Sequence, residues 1–430
     1  MPGCRGATVL DDLPEAIVVE EILVRLPSKD VLRCRAVRKS WGHATSTRDF
    51  MAAHHHRQPS LPIIDHTLLA GQDAPKTPRD SRLVVFRRDA ADHKLWPVIR
   101  CANPGTHHLT LHAALDGLLL VSSTAMDGHR KSYYYVCNPA TRQCAPLPQL
   151  DCLQYRLLNV AGFYRHHPSG DYRILYSRKN IVDQGAIATY HVFTVGSAHD
   201  DYPRCIWTRW PQVQPASLQE ALLGGLPCFS RYHDPPPVMH RGSLHWIVRR
   251  PDEEPTGNGT EFEDIIAFYT TCETFRWMRR PAQPGPWLLL FEVNGTIALC
   301  GTGDGTSRTD TEVWVMQDYE AGIWALTYRI RVSRSVHASA WQHDSSESRF
   351  ACRMVVLNER ELLIRFPYYR LWHCHIDSEL LRNVVVQCDH EAEQRVCSME
   401  ITLNSLQESI LPFPFFEKQE EDGVHPFIFE

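Results

Sequence analysis

No run of apolar residues in this chain approaches the roughly 20 needed to cross a bilayer. Long basic stretches are also missing: 45 Lys and Arg face 50 Asp and Glu, for a formal charge of -5. That balance argues against a nucleic-acid partner or a membrane surface. The opening MPGCRGATVL lacks the charged-then-apolar order of a secretory signal. Pro2 stands where N-myristoylation needs glycine. The 14 cysteines are scattered through a long chain without an export-signal pattern, so reduced thiols and a place in the cytoplasm and/or nucleus are expected, and no Cys-x-x-Cys pair occurs. On that reading the sequons at Asn258 and Asn294 carry no glycan. Catalytic signatures are absent too: no Gly-x-Ser-x-Gly, no His-Glu-x-x-His and no Gly-x-x-x-x-Gly-Lys. Gly301, Gly303 and Gly305 lie close together, but Thr306 holds the place of the last glycine in a dinucleotide loop. The histidine groups His54-His55-His56 and His373-Cys374-His375 lack accompanying ligand pairs, so no metal and no cofactor are expected. A non-catalytic protein is the reading these absences favour.

What is present concentrates in residues 13 to 50. Asp12 and Glu15 flank Pro14 in a helix-start pattern resembling a capping box. Val18, Ile22 and Leu26 then recur every fourth residue beside Ala16, Val19 and Leu23, giving one broad apolar face. Pro27 ends that helix, and Ser28 is placed to cap a second one carrying Val31, Leu32, Cys34 and Val37. Trp41 and Phe50 complete the segment. Periodicity alone leaves two readings open. The helices pack on the chain's own body, or they dock on a partner.

The order of residues decides between them. Leu13-Pro14-Glu15, Ile22-Leu23, Arg25-Leu26-Pro27, Lys29, Leu32-Arg33-Cys34, Val37, Lys39-Ser40-Trp41 and Phe50 resemble the F-box, with departures at Ala36 and Gly42. The resemblance implies a three-helix module at 10–50 that docks on a Skp-type adaptor, and through it on a cullin–RING ubiquitin ligase. Matched position by position, the adaptor-facing residues it implies are Leu13, Pro14, Ile17, Ile22, Leu23, Leu26, Pro27, Leu32, Val37 and Trp41. Apolar anchors of this kind dominate interface affinity, with charges at the rim.

Residues 51–80, with the three histidines and several prolines, read as a polar connector. A loose repeat follows. Glycine opens an apolar strand at Gly117, Gly242 and Gly295. An aromatic-rich strand comes next at 133–136, 265–269 and 313–316. Trp277 and Trp324 mark the last strand of two copies, where core packing is their expected role. Ala161-Gly162 with Trp207 reads as another copy, and 358–366 as a degenerate one. The spacing suits propeller blades with variable loops, whose faces must stack on their neighbours. Loops at about 122–132, 249–262 and 301–311 recur at one place in the repeat. They are candidates for target recognition, or tolerated insertions.

Ile265–Pro281, Glu312–Val332 and Glu408–Phe416, with 54–64 and Leu83–Cys101, are similar to the F-box-associated regions of plant F-box proteins. The expected fold is therefore mainly β with a small N-terminal all-α module. It comprises the F-box at 10–50, the connector at 51–80, a β-propeller-like substrate-binding domain of six to eight blades at 81–416, and a tail at 417–430. The implied function is substrate recognition in an SCF-type ubiquitin ligase, with an unidentified target protein. The alternatives are an adaptor-binding scaffold outside the ligase and a propeller enzyme whose site carries no known motif.

Overall fold

The computed structural model describes residues 13–69, 80–88, 95–103, 105–126, 131–147, 150, 158–182, 185–197, 204–205, 236–249, 263–281, 289–293, 295–302, 310–331, 353–358, 361–366, 370–375, 381–383, 396–417 and 425–430. Asp12, Trp207 and most of the three candidate recognition loops lie outside this set.

Mainly β structure follows a few N-terminal helices. Among the described residues, five sheets are four-stranded antiparallel meanders, here called blades one to five. Blade one holds His107–Leu115, Leu118–Ala125, Ser132–Asn138 and Gln143–Pro146. Blade two runs from Leu158 to Cys205, blade three from Val238 to Met278, blade four from Leu289 to Arg331 and blade five from Arg353 to Asn383. The remaining sheet joins the two ends of the β region. Ser60–Leu69, Asp80–Phe86 and Leu95–Cys101 take Val396–Gln407 on one side and Phe427–Phe429 on the other.

Period-two alternation explains why the second strands read as unbroken apolar runs. Leu118 to Val121 are all fully buried, because successive side chains point to opposite faces and both faces are covered. Leu118 and Leu120 pack toward Phe163 and Ile174 of blade two. Leu119 and Val121 pack toward Ile63 and Leu83 of the closing sheet. The same division continues around the molecule. Ile266 and Phe268 meet Tyr164 and Leu175, Ile265 and Ala267 meet Leu290 and Ile297, and Phe291 and Ala298 meet Leu362 and Ile364. Leu363 and Leu371 then meet Ile64, Val84 and Phe86, which returns the chain to the closing sheet. Each sheet thus buries its two faces against two neighbours, giving a closed propeller-like ring.

The glycine-opened strands fall where the repeat places them. Asp116-Gly117 and Arg241-Gly242 both adopt positive φ (52° and 81°, 47° and 69°), the requirement of a two-residue hairpin turn of the I′ type. Trp277 and Trp324 do lie on last strands and are partly buried between blades. The copy at Ala161-Gly162 is out of phase. Gly162 sits inside the first strand of its blade, at a bulge. A Cβ there would run into Leu244 of blade three, so close blade approach is what it serves.

Three expectations are corrected. The helical region is not a plain three-helix unit ending at 50. Its first helix, α1, is made of an α turn (Glu15–Ile17), a π turn (Val18–Ile22) and a 3-10 turn (Leu23–Arg25). Helices α2 (Ser28–Cys34), α3 (Lys39–Thr45) and α4 (Arg48–Arg57) follow. Of the stretch read as a connector, the described residues 51–69 hold the end of α4 and then ten residues of strand at Ser60–Leu69. α4 forms because Thr47 accepts a hydrogen bond from the Phe50 amide at its start, and because its buried side chains face the helical core. Lastly, Ser28 does not cap α2. Pro27 precedes the helix, and the Ser28 amide donates instead to the Glu408 carboxylate at 3.1 Å.

Candidate functional site

The helices enclose a small core of Val18, Leu23, Val24, Val31, Trp41, Phe50 and Met51, completed by Ile410 from the far end of the chain. This core sorts the ten sequence-derived adaptor residues into three groups. Leu13, Pro14, Ile17, Pro27 and Val37 are exposed. Ile22, Leu26 and Leu32 are half-buried, and Leu23 and Trp41 are buried. Leu23 and Trp41 therefore hold the module together. Large apolar side chains left in water are the informative observation on a surface. Here they are Leu13 (37% exposed), Ile17 (45%) and Val37 (65%).

The same helices carry exposed charges. Arg25 pairs with Glu21 at 2.5 Å and Arg33 with Asp30 at 3.2 Å, all well exposed, so neither pair adds much to stability. The Arg38 guanidinium lies 5.1 Å from the Trp41 ring centre and covers its outer face as a cation on an aromatic ring. The helical module thus exposes both apolar side chains and charges of either sign.

Sequence reasoning missed how this surface is held. The segment from Gln407 to Leu411 straps the helices to the β body. Gln407 Nε2 donates to the carbonyls of His55 and Gln58 at 3.0 Å each. His55 Nδ1 donates to the Glu408 carbonyl at 2.9 Å. The Glu408 carboxylate accepts from the first amide of α2, where the helix dipole also favours a negative charge. On the other side of the strap, Asn138 Nδ2 of blade one donates to the Ser409 carbonyl at 3.0 Å. His54 Nε2 and Gln58 Nε2 both donate to the Leu26 carbonyl, at 2.8 and 3.1 Å, and so fix the end of the first helix. Burial lowers the His54 pKa and keeps the ring neutral. The histidine run is therefore not part of a polar connector. His54 and His55 are buried in different directions, and only His56 faces water. The signal that could have found the strap was Glu408–Phe416, which stood out in the sequence only as a resemblance.

His373 lies beside Glu361 and the edge of the Phe86 ring, while the side chain of His375 is outside the described residues. Among the described residues no three His, Cys, Asp or Glu side chains gather as a metal site would require.

Comparison with known proteins decides the family. The F-box associated beta propeller domain matches residues 83–387, well over half of the chain. The chain belongs to that family. Its F-box relatives include the Arabidopsis thaliana F-box protein At1g52495, 29% identical over 332 residues covering 73% of this chain and 67% of that one. F-box protein CPR1, also from Arabidopsis thaliana, is 23% identical over 347 residues, covering 75% and 74%. Among solved structures, TolB from Acinetobacter baumannii is similar over 82% of this chain and 73% of that chain, with 10% identity and a TM-score of 0.38. In this F-box-associated propeller the matched region begins at the second strand of the closing sheet. The helices, the strap and the strand Ser60–Leu69 stand outside it.

Proposed function

We propose that this protein is a non-catalytic substrate-recognition subunit of an SCF-type ubiquitin ligase. In this reading the helices at 13–57 dock on a Skp-type adaptor and the β body from residue 60 onward holds the target. We count the five-stranded closing sheet as a sixth blade.

The observation that supports the reading is the contact between the strap and one end of blade one. Its Asp116-Gly117 turn packs against the strap: a Cβ on Gly117 would meet the Ser409 amide at 2.8 Å. The loop after Ala125 lies at the other end of the strand Leu118–Ala125, about 27 Å away for eight residues at ~3.4 Å each. Loops at the same step of the meander follow Arg249 in blade three and Thr302 in blade four. The strap that holds the helices thus meets blade one at its glycine-turn end, and the strands that lead into the recurrent polar loops finish at the other end. A receptor that bridges an adaptor and a target needs two separated surfaces of this kind. Ubiquitin transfer then gains from the high local concentration of target lysine that tethering produces.

The test is capture of a purified Skp-type adaptor by the full chain and by Ile17→Asp/Val37→Asp. Both positions are exposed, so the variant keeps its fold by circular dichroism. Affinity falls about 100-fold or more, the scale of losing two interface anchors. Equal capture by both proteins would refute the docking surface. Adaptor capture without cullin in the complex would point to a scaffold outside the ligase.

A further inference from the structure

Blade one carries two thiols set directly opposite one another. Cys137 and Cys144 are register partners on the last hairpin, and their sulfurs are 2.7 Å apart. The ladder shows which kind of pair this is. The Leu147 amide donates to the Tyr134 carbonyl, which makes residues 134 and 147 a hydrogen-bonded pair. Counting inward in an antiparallel ladder, the type alternates. Tyr135 and Pro146 are then non-hydrogen-bonded, as a proline lacking an N–H requires. Val136 and Ala145 are bonded, and Cys137 and Cys144 are again non-bonded. At such pairs the Cα atoms stand about 4.5 Å apart and the side chains are closest, within the span a disulfide accepts.

The two thiols differ in access. Cys137 is fully buried, whereas Cys144 is half-buried and follows the exposed Arg142 and Gln143. We propose that Cys137 and Cys144 form a reversible oxidation site, at which a hydroperoxide converts the dithiol to a cross-strand disulfide. Cys144 sulfur attacks the peroxide oxygen, breaks the O–O bond and leaves as sulfenic acid, with one water released. Cys137 sulfur then attacks Cys144 sulfur, the S–O bond breaks, and the thiol proton leaves with the hydroxyl as a second water. In sum, two thiols are oxidised by two electrons and one hydrogen peroxide is reduced to two waters. Burial together with the neighbouring Cys144 raises the Cys137 pKa and makes it the slower thiol to meet peroxide, since the thiolate is the nucleophile; its part in the second step rests on the nearness of the Cys144 sulfur.

The bond would staple the turn that carries Asn138, and Asn138 holds the Ser409 carbonyl of the strap. Oxidation therefore acts on the junction between helices and β body. The assignment itself does not depend on the ligase reading.

Peptide mapping of the full-length protein tests it. The reduced protein is treated with hydrogen peroxide, unfolded, alkylated with iodoacetamide and digested with trypsin. Cleavage after Lys131, Arg142 and Arg156 places Cys137 on one peptide and Cys144 on the next, together with Cys152. The expected result is a cross-linked pair of these peptides, lost on adding dithiothreitol and absent in Cys144→Ser but retained in Cys152→Ser. Full alkylation of Cys137 after peroxide treatment would overturn the proposal. So would a cross-link that survives Cys144→Ser.

Discussion

At the scale of single residues, the buried polar groups show how the blades are keyed together. His245 has no exposed surface. Its Nδ1 donates to the Val238 carbonyl at 3.1 Å, and its Nε2 accepts from the Tyr319 hydroxyl of blade four at 2.8 Å. Burial is the main reason its pKa is lowered to about 4. The unfolded chain, with histidine near 6.5, then binds the proton more readily than the folded one. Stability from this group is complete above about pH 6.5 and is lost as pH falls toward 4. The loss is about 3 kcal/mol, since each tenfold difference in proton affinity is worth ~1.36 kcal/mol. Asp65 acts in the opposite sense. Burial raises its pKa to about 6, so it favours the folded state more at low pH. Comparing urea unfolding of the wild type and His245→Gln between pH 7 and 4.5 isolates the histidine. The variant is less stable at pH 7 and has a flatter pH dependence. A second key is Glu273, at φ 54°, which accepts from Tyr164 Oη at 2.7 Å and from Arg173 at 2.6 Å. The partnerships between blades were not visible in the sequence, since they join residues 74 to 109 positions apart.

At the scale of elements, the turns that open second strands look alike in sequence and differ in what they touch. Gly117 (φ 81°) leaves no room for a Cβ, which would meet Ser409 Cβ at 2.5 Å and the Gln407 carbonyl at 2.9 Å. Gly295 (φ 75°) has nothing within 4 Å. Alanine at Gly295 meets only the left-handed backbone penalty, about 1–2 kcal/mol. Alanine at Gly117 adds overpacking of a further ~1–3 kcal/mol, and it displaces the strap. The unfolding midpoints of the two variants should therefore be well separated, with Gly117→Ala alone also raising hydrogen exchange in α4. Position of these turns was legible from the glycine-opened repeat. Unequal importance was not, because it depends on a segment nearly 300 residues away. The same holds for α2, whose N-terminal partner is Glu408 and not the adjacent serine. Local sequence offered Ser28 as a cap, but Pro27 takes the cap position and the Glu408 carboxylate meets the helix start in place of a hydroxyl.

At the scale of the molecule, closure is the organising fact. Val396–Gln407 pairs with Ser60–Leu69 across most of its length. Ile401 and Met399 fill the cluster between the closing sheet and blade five. Arg365 of blade five binds Glu400 at 2.6 Å and donates to the Met399 carbonyl at 3.1 Å. A chain ending at residue 395 would lose this strand, the strap and Phe427–Phe429 together. It would expose Ile63 and Ile64, both now buried, along an unpaired strand edge. We expect it to aggregate and to show no cooperative thermal transition, while the full chain unfolds in one step by scanning calorimetry.

The sequence by itself determined the alternating apolar strands, the glycine turns, the break at Pro27 and an N-terminal surplus of apolar side chains. All of these follow from the chain's nearest neighbours, through backbone sterics and side-chain periodicity. Only the tertiary structure decided that Leu23 and Trp41 face inward while Ile17 and Val37 face water, that the histidine run anchors α4, and that the C-terminal strand seals the ring. Those outcomes rest on contacts between the two ends of the chain, and a pattern read a few residues at a time carries no information about which distant segment will fill a given face.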